Sequence, residues 1–92
     1  MKQESAEAIA LQALAWLAGE GDLLTVFFNA TGSSPDDVKS RAQDPVFLGF
    51  VLDFILMDDA WVAGFCDAEH HSYDILARAR VALPGGNLPH WT

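Results

Sequence analysis

Ser34-Pro35-Asp36-Asp37, and then Asp44-Pro45-Val46-Phe47-Leu48-Gly49-Phe50-Val51-Leu52-Asp53-Phe54-Ile55-Leu56-Met57-Asp58, decide the fold. The first four residues form a capping box. The Ser34 hydroxyl can accept from a backbone N–H that the first helical turn leaves unpaired, and proline stands where no N–H is needed. Asp44-Pro45 repeats the device. The apolar run that follows, Val46 to Met57, is too short for a bilayer, which takes about 20 residues, and it carries Asp53. It reads as a core helix. Its apolar side chains cover almost the whole circumference, and such a helix must be surrounded by other elements. The other five short helices are expected to leave part of it uncovered, as an interface with a second copy or with another protein.

Working outward, Ser5 is a candidate cap for a first helix reaching about Ala18, with Glu7 near its positive end. Gly19 and Gly21 stop it. Asp22 caps a second helix over Leu23 to about Ala30, and Gly32 supplies the left-handed residue that ends it. The third helix runs from Pro35 to about Gln43. Asp58 or Asp59 caps a fifth over Ala60 to Ala68. Ser72 and Asp74 cap a sixth that ends before Pro84. No stretch alternates with period two long enough to form a strand. The expected fold is all-α, a compact bundle of five to six short helices in one domain spanning residues 1–92.

Composition agrees. The 92 residues are 51% hydrophobic and 20% charged, with mean hydropathy +0.17, which excludes a disordered chain. Thirteen acids against five bases give a net charge of −8, a poor match to nucleic acid or anionic membrane. The single cysteine, Cys66, excludes an internal disulfide framework. Met1 to Ser5 leads into an apolar stretch from Ala8 to Ala18, but Glu4 and Glu7 stand where a signal peptide needs basic residues. A cytoplasmic protein is expected.

The sequence also repeats at an offset of about 38 residues, within the usual range of helical repeats. Leu14 meets Leu52, Phe27 meets Phe65, Ala30 meets Ala68, Ser34 meets Ser72 and Asp36 meets Asp74. The units are about 5–44 and 45–83, followed by a non-helical tail over 84–92. Two units are too few for a solenoid, so they should fold on each other with pseudo-two-fold symmetry around the fourth helix.

Three segments carry a family resemblance: Glu4-Ser5-Ala6-Glu7-Ala8-Ile9-Ala10-Leu11-Gln12-Ala13-Leu14, the pair Asp44-Pro45-Val46-Phe47-Leu48 and Val51-Leu52-Asp53-Phe54, and Pro89-His90-Trp91-Thr92. Together they resemble a family of small uncharacterised bacterial proteins, a domain of unknown function. The resemblance runs along nearly the whole chain and implies a complete all-helical protein in a bacterial cytoplasm. It implies no activity, ligand or catalytic residue. Where that family has a Gly-Leu-Pro-type turn, this chain has Glu69-His70-His71-Ser72, so those histidines inherit no role.

Cys66, Asp67, Glu69, His70, His71 and Asp74 form the one cluster with catalytic or metal-binding chemistry. On a continuous helix Cys66 would face His70, and Asp67 would face His71. In the repeat, however, His70 takes the place of Gly32, where the chain leaves the helix. Cys66 likewise matches Phe28 on an apolar face, and a buried cysteine is inert. No catalytic residue, metal site or cofactor is expected. Asp53 and Gly49 lie one turn apart and form a narrow polar stripe reaching water; a buried pair with Arg78 or Arg80, or a ligand-facing acid, is the alternative. Lys39, Arg41, Arg78 and Arg80 fall late in the third and sixth helices, where the dipole favours cations, while Asp36, Asp37 and Asp74 would meet DNA first.

The expectation is a non-enzymatic interaction module working through an apolar helical surface, with a protein partner or as a homodimer. Phe47, Phe50, Phe54, Trp61 and Trp91 are the candidate contact residues. Two alternatives are a ligand-binding or enzymatic pocket between the repeats and an acidic surface that engages a basic partner.

Overall fold

The computed structural model describes residues 1–85, which hold six α-helices: α1 Gln3–Gly19, α2 Leu23–Thr31, α3 Pro35–Arg41, α4 Pro45–Leu56, α5 Asp59–Glu69 and α6 Ile75–Ala82. The fold is all-α, and these residues contain no strand. Among them, no single helix is long and apolar enough to cross a membrane. Trp91 and the rest of the tail after Gly85 lie outside the described residues.

The punctuation in the middle of the chain forms as its residues dictate. The Asp37 N–H donates to Ser34 Oγ at 3.3 Å, and the Ser34 N–H donates to Asp37 Oδ2 at 2.9 Å, which closes the capping box. Asp44 and Asp58 each accept from the backbone N–H two residues on, at 2.9 and 2.8 Å. Three expected caps are absent. Ser5 lies inside α1, because the helix starts a turn earlier and the Ala6 N–H already reaches the Lys2 carbonyl. Asp22 and Asp74 stand at the N-caps of α2 and α6 with helical backbone angles and no side-chain cap bond. Asp74 instead accepts from the Ser72 hydroxyl at 2.6 Å. α2 and α5 both end on a left-handed residue, Gly32 (φ 73°) and His70 (φ 59°), and each of these donates its N–H four residues back.

α4 is central, packed against α1, α6, α5 and α2. α1 packs on both α4 and α6, and it turns small residues inward, Ala6, Ala10 and Ala13, all fully buried. Phe27 of α2 inserts edge-on against Phe47 and Phe54 of α4, with centroids 6.0 and 5.3 Å apart. These are favourable aromatic geometries. Trp16 of α1 meets Phe65 of α5 edge-on at 6.2 Å, and a Cβ at Gly64 would stand 3.0 Å from the Trp16 ring. α3 is peripheral and contributes no fully buried residue, whereas α6 buries Leu76 and Ala79.

Gly49 and Asp53 combine two of the sequence expectations. Asp53 Oδ1 accepts from Arg80 Nε at 2.6 Å; the Arg80 side chain is 15% exposed and that of Asp53 52%. The polar stripe therefore does reach water at Asp53, but over buried Gly49 it is roofed by the guanidinium. A Cβ at Gly49 would lie 3.0 Å from Arg80 Nη1, so the missing side chain makes room for the arginine. Arg80 Nη1 also donates to the Pro84 carbonyl at 3.0 Å, which ties the end of α6 to α4.

Candidate functional site

α4 cannot be covered all round by the helices beside it. Val46, Phe50, Asp53 and Met57 recur at four, three and four residues, the spacing of one helix face. This face looks outward: Phe50 is 43% and Met57 73% exposed, and Val46 is comparable to Phe50. Beside it the C-terminal end of α2 leaves a groove of about 330 Å³, lined by Ala30, Thr31, Phe50, Asp53, Phe54 and Met57.

Aromatic packing fixes the floor. Phe54 is almost fully buried between Phe27 and Trp61, whose ring stacks on it with centroids 4.8 Å apart and planes at 23°. The two polar groups of the lining are already engaged. Thr31 Oγ1 donates to the Phe27 carbonyl at 2.8 Å, and Asp53 accepts from Arg80. What remains is an apolar surface with one half-exposed carboxylate at its edge. It suits an apolar side chain better than a polar metabolite, which needs several convergent hydrogen-bonding groups.

The structure divides the expected contact residues. Phe50 lies on the groove wall, Phe54 forms its floor and Trp61 supports the floor from behind. Phe47 does not line the groove. It is fully buried against Phe27, with the Arg41 guanidinium 5.3 Å over its ring, so it belongs to the core and offers no surface. Trp91 lies outside the described residues. Met57, Val46, Ala30 and Thr31 were not singled out from sequence. The spacing from Phe50 to Met57 was there to read, but it identifies a face only once the inward side is known.

The Cys66 to Asp74 cluster is held apart. Cys66 is buried and its thiol donates to the Ser72 carbonyl at 3.4 Å; burial, then the charges of Asp67 and Asp74, push its pKa up. Asp67 accepts from the Tyr73 hydroxyl at 2.7 Å, and that bond followed by the carboxylate's charge raises the tyrosine's pKa. His71 stands 2.9 Å from Gln12 Oε1 and stacks on Phe65, while His70 is the left-handed residue ending α5. Hydrogen bonding from Ser72 holds the Asp74 carboxyl below its ordinary range. These contacts orient no base toward the thiol. Among the described residues no three His, Cys, Asp or Glu side chains are grouped to hold a metal ion. The arginines are likewise committed: Arg41 to Asp44 at 3.4 Å, Arg78 to Asp74 at 3.9 Å and Arg80 to Asp53.

The chain belongs to the family described as "Protein of unknown function (DUF3572)", which it matches over residues 3–86. No curated protein and no solved structure matches it.

Proposed function

We propose that this member of a family of unknown function is a non-enzymatic interaction module, which takes an apolar segment of a protein partner into the groove between α2 and α4. The outward apolar face of the central helix carries this reading. Exposing a phenylalanine and a methionine beside a rigid aromatic floor contributes little to folding, and clustered exposed apolar residues mark contact sites. The partner engages as a helix or extended segment laid along Val46, Phe50 and Met57, a helix-in-groove arrangement. A second copy of the chain fits less well. A two-fold axis near the middle of this face would bring Asp53 close to its own symmetry mate, and each chain carries a charge of −8. The protein acts in the bacterial cytoplasm and away from nucleic acid, since its arginines already serve acids of its own chain.

The test is association measured with Phe50→Ser and Leu11→Ser variants, two residues of similar exposure on different helices. Phe50→Ser should weaken partner binding at least tenfold with the helical signal intact, and Leu11→Ser should leave it unchanged. Equal effects would remove the groove from the account.

A finer reading of the fold belongs here too. The chain arose by duplication of a three-helix unit. Supporting this, the left-handed ends of α2 and α5 fall at the repeat offset, with acceptors Phe28 and Cys66 at the same offset. α1 packs on α2 as α4 packs on α5. The third helices have diverged, since α6 is built into the core and α3 is not.

One observation favours a ligand pocket as the second reading. The groove volume of about 330 Å³ lies at the lower end of small-molecule sites. A rise in melting temperature with an apolar carboxyl-free metabolite, lost in Phe50→Ser, would select it.

A further inference from the structure

Both helices that form the groove end at it. Ala30 and Thr31 close α2, while Phe54 lies in the last turn of α4 and Met57 is its C-cap. A helix C-terminus carries partial negative charge, and a cation nearby stabilises it. α3 and α6 meet that need with Arg41 and Arg80 in their last turns, whereas α2 and α4 have no base there. Residues 22–31 and 44–58, which hold these two helices and their flanking caps, contain Asp22, Asp44, Asp53 and Asp58 and no Lys, Arg or His. Asp53 lines the groove, and its side chain stays 52% exposed with Arg80 bound. Past Met57 the chain runs directly into Asp58 and Asp59. The apolar lining is thus bordered by negative charge, of which Arg80 offsets only a part.

We propose that the segment this groove takes is cationic as well as apolar. Its apolar side chains seat on Phe50, Phe54 and Met57, and a Lys or Arg beside them meets Asp53 and the C-terminal ends of α2 and α4. The proposal rests on the groove being a docking surface and names the chemistry of the partner. Charge complementarity selects this occupant. A neutral apolar segment would cover Asp53 and strip water from its carboxylate, a cost that a base on the segment offsets. An acidic segment is repelled, and so is a second copy of this chain, with its charge of −8. A base on the partner also speeds encounter and makes binding depend on salt.

Two synthetic amphipathic peptides test this by calorimetric titration against the full chain. Both carry leucines at helical spacing; one has lysines beside them and the other glutamines. The lysine peptide should bind about tenfold tighter than the glutamine peptide. Asp53→Asn, which keeps an acceptor for Arg80, should reduce that preference by about threefold. Asn29→Lys should do the same without touching the Arg80 contact, because it gives α2 the base its last turn lacks. Glu4→Gln, an equal change of charge on α1, should leave the preference intact. A preference that falls as much in Glu4→Gln as in Asp53→Asn and Asn29→Lys, or that survives both of these, overturns the proposal. So does equal binding of the two peptides; if Phe50→Ser then weakens both, apolar docking stands and only the cationic partner is lost. Binding of neither peptide removes the two readings together.

Discussion

The two faces of α4 are both rich in apolar residues and unlike in fate. Phe47, Leu48, Val51, Leu52 and Ile55 are fully buried against α1, α2, α5 and α6, while Val46, Phe50 and Met57 face water. Phe47 and Phe50 lie three residues apart on one helix, yet one is core and the other surface. The inner face holds six short helices together, and the outer face takes little part in that packing, which is why we propose it as the contact surface.

Substitutions can break this contrast. Phe47→Ala should be the most damaging. It removes an aromatic packed on Phe27 and roofed by Arg41, at a cost of about 3–5 kcal/mol in urea unfolding. Phe50→Ser should cost about 1 kcal/mol or less, because its ring is already partly in water. Equal losses at the two positions would mean that the outer face is structural.

Asp53→Ala comes between them. It strips the carboxylate from an arginine that is mostly buried and should cost about 1–3 kcal/mol, visible as a lower denaturant midpoint. Gly49→Leu should produce a similar loss by driving Arg80 off its seat, and should not add to Arg80→Ala if both act through one contact.

The capping box gives a smaller effect. Ser34→Ala should lower stability by about 1 kcal/mol and leave the groove unaltered. Smallest is the response at Asp74. Its carboxyl is held below the ordinary range by Ser72, so this contribution is present above the unfolded carboxylate pKa and is lost as pH falls through the lowered value. Comparing the acid unfolding of Ser72→Ala with wild type should show the variant losing less stability over that acid range.

How much of this was legible in the sequence depends on the range of the interaction. Ser34, Asp44 and Asp58 cap by reaching residues two or three away, and all three could be read. His70 could be placed at a helix end because it matches Gly32 in the repeat. Ser5 was misleading because the helix gained a turn at Lys2, where no side chain marks the start. The fates of Phe47 and Phe50 were out of reach, since on a helix apolar nearly all round the single acid, Asp53, is too little to mark off the inner face. The seat of Arg80 was hidden for a related reason. It depends on an absent side chain at Gly49 and on a carboxylate 27 residues away in sequence. The groove depends on two helices meeting, and neither Ala30 nor Thr31 carries a local signal for it.

The central claim is that the outer face of α4 meets another protein, and a photo-cross-linking amino acid tests it most directly in living cells. Placed at position 50, and separately at position 11 on α1, it samples two sites of nearly equal exposure, 43% and 41%. The account predicts a discrete cross-linked partner from position 50 that disappears with Met57→Glu, and none from position 11. The same products from both positions, or products at position 50 that survive Met57→Glu, would contradict it.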